Sequence, residues 1–205
     1  MRELFKNVYW EGKLVMLENV KVTVTDVGGT YRDVANAART TINMAEGDKE
    51  ISEKYMYKMY KCEHSPIRLR QFRIVIENCP SWVATHFCRH HIGVEKFVST
   101  QRTDRTGVDR NKLPQDAPVR LEMWANAQAM INISRKRLCN CASKETKIIW
   151  LMVLVELRKI DKPLWDCCVP ECIYRGHCPE YKGCGFDKTT AFEIELSIYR
   201  GGILI

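Results

Sequence analysis

Hydrophobic and polar positions alternate in two stretches. Val20–Thr25 alternates and ends at the turn signal Gly28-Gly29, which predicts a strand. In Leu69–Glu77, Phe72, Ile74 and Ile76 fall on one face and Arg73, Val75 and Glu77 on the other, which predicts a second. Val34–Asn43 and Glu50–Lys61 predict helices separated by the breaker Glu46-Gly47-Asp48. Pro80 suits the first turn of a helix running to about His91 and stopping near Gly93. Glu95–Pro118 is polar and rich in breakers, a long loop carrying Arg102, Asp104, Arg105, Asp109 and Arg110. Val119–Asn140 predicts a long helix. Ser143 is placed to cap another through about Ile160, apolar around most of its circumference and therefore buried at the domain centre or at a subunit contact. A Cys-rich segment, Cys167–Cys184, precedes a final helix near Lys188–Arg200.

With 205 residues, 45% hydrophobic and 28% charged, the chain is long and apolar enough for one domain with a real core. The longest apolar run, Ile148–Val155, is far short of the roughly 18 residues a membrane helix needs, so no membrane association is expected. Met1–Lys6 lacks the apolar run of a secretory signal, and a cytoplasmic location is expected. Thirty-two Lys and Arg against 25 Asp and Glu give a net charge of +7. That excess favours anionic partners such as nucleotides and phosphorylated cofactors. Direct nucleic-acid binding rests on the charge alone and is not expected.

On a helix, His86, Arg89 and His90 are spaced i, i+3, i+4 and share a face. A forked, permanently charged donor between imidazoles suits the phosphate and flat ring of a nucleotide or flavin; the bland alternative is a solvated basic face. The surrounding sequence decides between them. Pro80-Ser81-Trp82-Val83-Ala84, then Arg89-His90-His91 and a seven-residue gap to Ser99-Thr100-Gln101-Arg102, resemble the signature of the flavin-dependent thymidylate synthases: Arg-His-Arg, seven residues, Ser, one residue, Arg. Glu63-His64-Ser65-Pro66 is similar to the His/Glu-Thr/Ser-Pro segment that precedes the strand in that family. Ala38-Arg39-Thr40-Thr41 resembles its Ala-Arg-Val-Ser helix end. The agreement spans roughly residues 20–105. His91 replaces the second arginine, and the final arginine keeps its spacing only when counted from Thr100. His86 stands where many members carry glutamine, Phe97 falls near a usual glutamate, and Ser143 takes the gapless position of a nucleotide-contacting arginine.

The resemblance implies an α+β fold, an antiparallel or mixed sheet with a helical bundle, as a single domain over residues 1–205. It implies FAD, with NADPH and methylenetetrahydrofolate as co-substrates, and transfer of one carbon to C5 of dUMP without an enzyme nucleophile. Arg89, His90 and Arg102 then take catalytic roles. Ser65, Thr41, Arg89, His90 and His91 contact the cofactor, and His86, Arg89, Ser99, Thr100, Arg102, Arg137 and Lys144 the nucleotide. Family sites lie between subunits of a homotetramer. Two alternatives remain open: a variant giving a hydroxymethylated pyrimidine, and a non-catalytic nucleotide- or flavin-binding homologue acting through a protein partner.

Ten cysteines form a separate signal. Cys167, Cys168, Cys172, His177, Cys178 and Cys184 crowd one segment, with Cys139 and Cys141 upstream. Thiolates in that number suit zinc or an iron–sulfur cluster. The expected set is Cys139, Cys172, Cys178 and Cys184, with 141, 167 or 168 as alternatives to 139, in a metal-binding insertion over residues 165–186. A group of reduced, partly buried thiols is the alternative. Cys62, Cys79 and Cys88 are expected to pack, Arg135-Lys136-Arg137 either to meet a phosphate or to form a solvated helix face, and Asp104 and Arg105 to pair within the loop.

Overall fold

The structure is a computed structural model, and it describes Leu17 and residues 19–201. Met1–Lys6, on which the reading of the N-terminus rests, lies outside the described residues. The alternating segments become strands β1 (Lys21–Gly28) and β2 (Gln71–Pro80). Two more, β3 (Val94–Val98) and β4 (Pro118–Asn126), complete a four-stranded sheet in the order β1-β2-β4-β3, with every neighbouring pair antiparallel.

One face of the sheet is the core face. Val24, Phe72, Ile74, Ile76, Val94, Leu121, Met123 and Ala125 are all buried there. Helices α3 (Ser81–Cys88), α5 (Ala127–Arg137) and α6 (Lys144–Ile160) pack around this core. On the opposite face, Arg73 pairs with Glu122 at 2.7 Å, and exposed Trp124 donates to the same carboxylate. Phe97 lies opposite Glu122 and is exposed.

The long helix expected over Val119–Asn140 is instead β4 followed by α5. Val119, Leu121, Met123 and Ala125 are buried while Arg120 and Trp124 are exposed, a period of two rather than 3.6. Asn126 then caps α5 by accepting from the Ala129 N–H at 2.9 Å. The loop from Glu95 opens with β3 and carries the short helix α4 (Thr103–Thr106) and a 3-10 turn at Arg110–Lys112. Helix α1 (Tyr31–Thr40) starts before Val34 because Thr30 and Asp33 form a capping box. Helix α2 (Glu53–Lys61) begins behind the cap Ser52, and Ser143 caps α6 as expected. Cys79 is buried and Cys88 packs against the core, whereas Cys62 is exposed.

Beneath β1 and β2 lies a buried polar network. Asp161, fully buried between α6 and α7 (Lys162–Cys167), accepts from Tyr31 at 3.0 Å, Tyr60 at 2.7 Å and Arg70 at 3.1 Å. It also caps α7 by accepting from the Leu164 N–H. Arg70 reaches on to Asp26 at 2.9 Å and to the Gly29 carbonyl.

The C-terminal segment holds α8 (Glu171–Arg175) and α9 (Thr190–Gly201) around a second, small cluster of Val169, Ile173, Phe192 and Tyr199. No helix among the described residues is long and apolar enough to cross a membrane.

Candidate functional site

Helix α3 ends at Cys88, earlier than the sequence pattern predicts. Arg89 takes the C-cap with φ −73°, and the His90 N–H closes the last turn on the Phe87 carbonyl at 3.1 Å. His86 is therefore on the helix, while Arg89 and His90 project from the turn that leaves it. The end of α5 meets that turn. Arg137 donates from Nε to Nε2 of His90 at 2.9 Å and from its other arm to the His86 carbonyl. Lys96, from the edge strand β3, donates to the His90 carbonyl and lies 3.4 Å from Nδ1 of His91.

The His86 ring is fixed from another direction. Its Nδ1 lies 2.9 Å from Oγ1 of Thr146, which in turn accepts from the hydroxyl of the cap residue Ser143 at 2.7 Å. Trp82 meets the same imidazole edge-on, with ring centres 5.5 Å apart.

This assembly carries an excess of positive charge. Burial, and then Arg137, Lys96 and His91, push the His90 pKa down to about 4. His86 is lowered by burial, then by Arg137 and Arg89, against a smaller upward pull from Glu145. Burial and Arg89 lower even Arg137. The Arg89 side chain makes no hydrogen bond or ion pair among the described residues. Because Arg137 donates to Nε2, the His90 ring is neutral with its proton on Nδ1. Three permanent cations and a neutral donor ring thus meet without a hydrogen-bonded carboxylate. The chemistry of such a set is anion binding.

Not every residue expected at the site gathers there. Arg102 pairs with Asp104 at 2.9 Å on an exposed loop, and Arg105 lies 3.8 Å from the same carboxylate. Ser99 extends the β3 ladder, with its hydroxyl oxygen accepting from the Arg120 N–H, and Thr100 accepts from the Arg102 N–H. Thr41 is the C-cap of α1 and donates to the Ala38 carbonyl at 2.7 Å. Lys144 opens α6, one residue after the cap.

Ser65 is exposed at the start of a 3-10 turn, Ser65–Leu69, behind a half-buried His64 whose buried Nδ1 has no partner. The neighbouring Glu63 holds Arg135 and accepts from Gln128 at 2.6 Å. The run 135–137 is therefore no solvated face. Arg135 is sequestered by Glu63 and stacked 3.5 Å over Tyr174, Arg137 joins the site, and only Lys136 is exposed.

Sequence reasoning missed Lys96 and Thr146. Lys96 becomes a neighbour of His90 only through the strand that returns after Gly93. Thr146 bore a weak signal, three residues after the cap Ser143.

Among the described residues, no group of three His, Cys, Asp or Glu side chains stands ready to hold a metal ion.

No protein family matches the sequence, and no curated protein does. Solved structures do share its fold. A UMP/dUMP methylase, PolB, from Streptomyces cacaoi bound with 5-Br dUMP has a TM-score of 0.58 at 12% identity, covering 73% of this chain and 94% of that one. The same methylase bound with 5-Br UMP gives 0.56, also at 12% identity, covering 73% and 93%. The chain thus shares its fold with that methylase.

Proposed function

We propose that the protein is a flavin-dependent pyrimidine-nucleotide methylase that converts dUMP to dTMP by reductive one-carbon transfer from methylenetetrahydrofolate. The observation that carries this reading is a neutral His90 held by Arg137 and Lys96, with Arg89 acting on Arg137 and His86 and no hydrogen-bonded carboxylate among them. The fold shared with a UMP/dUMP methylase supports the same ligand class.

In this reading Arg89 and Arg137 neutralise the nucleotide phosphate, and His90 offers its Nδ1–H to the phosphate or to a pyrimidine carbonyl. His86, held by Thr146 and Trp82, orients the ring. Ser99, Thr100 and Arg102 close from the loop, with Arg102 exchanging Asp104 for phosphate. Lys144, at the start of α6, contributes charge on the same side.

The residues around Ser65 fit an anionic cofactor. Its hydroxyl is exposed, and the half-buried His64 beside it has a buried, unpartnered nitrogen. Ser65, Thr41 and His91 would hold FAD there, with Arg89 and His90 between cofactor and nucleotide. FAD, once bound, supplies the ring that NADPH reduces for the carbon transfer. The protein's own contribution is positioning and charge neutralisation. A homotetramer that completes each site from neighbouring chains belongs to the same reading.

A second reading is a non-catalytic homologue that binds the nucleotide or flavin and acts through a protein partner. The engagement of Arg102 by Asp104 and the histidine at position 91 favour it. A hydroxymethylating variant is the third outcome. Incubation of the purified protein with FAD, NADPH, methylenetetrahydrofolate and dUMP, read by product mass, separates them. Formation of dTMP supports the proposal, and a hydroxymethylated product redirects it. Bound dUMP without turnover selects the non-catalytic reading, and failure to bind either dUMP or FAD overturns all three.

A further inference from the structure

The cysteines of the C-terminal segment do not gather as the sequence alone arranges them. Cys167 and Cys168 turn inward, away from the others. The Cys167 thiol faces the Tyr57 carbonyl, and Cys168 is fully buried beside Ser134. The remaining five form a loose ring of thiols drawn from separate segments. Cys139 and Cys141 lie in the turn between α5 and α6, where the Cys141 N–H donates to the Cys139 sulfur at 3.4 Å.

Cys141 also points across to the C-terminal segment. Its thiol lies 3.9 Å from the Lys182 carbonyl, two residues before Cys184, and Cys139 and Cys184 both act on it electrostatically. Cys172, on α8, feels both Cys139 and Cys178, and a side chain at Gly183 would press on Cys178 Sγ at 3.0 Å.

The surroundings suit a cross-link. Residues 176–189 contain a single 3-10 turn, and the apolar cluster beneath the segment has only four buried members. Glu171 ties α8 to α5 through Lys136 at 3.7 Å. The Lys147 ammonium, which donates to Asn140 in the same turn, is near enough to interact electrostatically with Cys139, Cys172 and Cys184.

We propose that Cys139, Cys141, Cys172, Cys178 and Cys184 form a thiolate site that holds one thiophilic metal centre, zinc or an iron–sulfur cluster, on four of its five sulfurs. As they stand the thiols are not a converged ligand set. Capture of the metal requires rotation about χ1 and loss of one proton per coordinating thiol, with no change of sulfur oxidation state. A four-thiolate zinc centre would carry two net negative charges, which Lys147 partly offsets. The centre would pin the 138–143 turn to the C-terminal segment and so replace the core that the segment lacks.

The full-length protein, purified without oxygen or chelator, tests this by metal analysis with a visible spectrum. About one zinc per chain and no visible absorption identifies zinc. Iron with acid-labile sulfide and broad absorption identifies a cluster. Either result supports the site. Cys172→Ser and Cys184→Ser should lower metal content severalfold, while Cys62→Ser, exposed and outside the ring, should keep it. Because a serine variant risks misfolding, cobalt(II) titration of the metal-free wild type gives a second readout, with thiolate-to-cobalt charge-transfer bands expected. Protein that holds no metal, takes up neither zinc, cobalt nor iron and sulfide, or carries these cysteines as disulfides by mass, overturns the proposal.

Discussion

Arg137, the last residue of α5, donates from Nε to Nε2 of His90 over 2.9 Å, across 47 positions of sequence. A guanidinium cannot accept a hydrogen bond, so the imidazole must, and it does so only when neutral. The pair fixes both the charge state and the tautomer of His90 before any ligand arrives.

The titration of His90 should report this directly. In the free protein its midpoint, followed by imidazole C–H shifts in NMR, is expected at about 4, against roughly 6.5 for an unperturbed histidine. The unfolded chain therefore binds more protons between those values, and His90 contributes stability that is lost as pH falls from about 6.5 to 4. Burial is the first cause, so Arg137→Gln should move the midpoint only part of the way up. Inorganic phosphate should raise it in the wild type by neutralising Arg137 and Lys96. A midpoint that ignores both changes would show that the cations do not act on this ring.

Nucleotide affinity should rank the arginines by their surroundings. Charge-assisted hydrogen bonds contribute about 1.5–3 kcal/mol, so Arg89→Ala and Arg137→Ala should each weaken dUMP binding by roughly 10- to 100-fold in calorimetry. Arg102 is exposed and must leave Asp104 to reach a phosphate, so Arg102→Ala should cost less than about fivefold. An inverted order would move the phosphate site onto the loop.

Asp161→Ala should be among the most destabilising single changes. It removes the acceptor shared by Tyr31, Tyr60 and Arg70 and leaves a buried guanidinium with the half-exposed Asp26 as its remaining carboxylate and the Gly29 carbonyl as its other acceptor. Breaking a buried pair in this way costs about 3–5 kcal/mol, measurable as a lower urea midpoint. Nucleotide affinity at low temperature should survive, because no member of this network touches His90 or Arg137.

The parts legible in the sequence are those governed by local periodicity or local caps. Phe72, Ile74 and Ile76 announce β2, and Ser143 announces α6. The segment after Pro118 misleads because Leu121, Met123 and Ala125 are also good helix formers, and only pairing with β2 fixes their period at two. The same limit hid part of the site. His86, Arg89 and His90 sit in one recognisable run, but Lys96 joins them through β3 and Arg137 through the packing of α5. The thiol ring shows it again, since nothing in the spacing of Cys141 distinguishes it from Cys167 until the α5–α6 turn is placed against the C-terminal segment.

The position of that turn links the two proposed sites. Residues 138–143 run between Arg137, which holds His90, and Ser143, which positions Thr146 against His86. Cys139 and Cys141 lie within it. If a metal centre pins the turn, stripping the metal should loosen Arg137 and Thr146 together. Calorimetry is then expected to give a dUMP affinity several-fold weaker in chelator-treated protein, restored when the metal returns. The His90 midpoint should rise in parallel as Arg137 withdraws. Tightly bound metal whose removal leaves nucleotide affinity and the His90 titration unchanged would make the thiolate site a brace for the C-terminal segment alone. Lost affinity in protein that never held metal would instead assign the effect to the chelator.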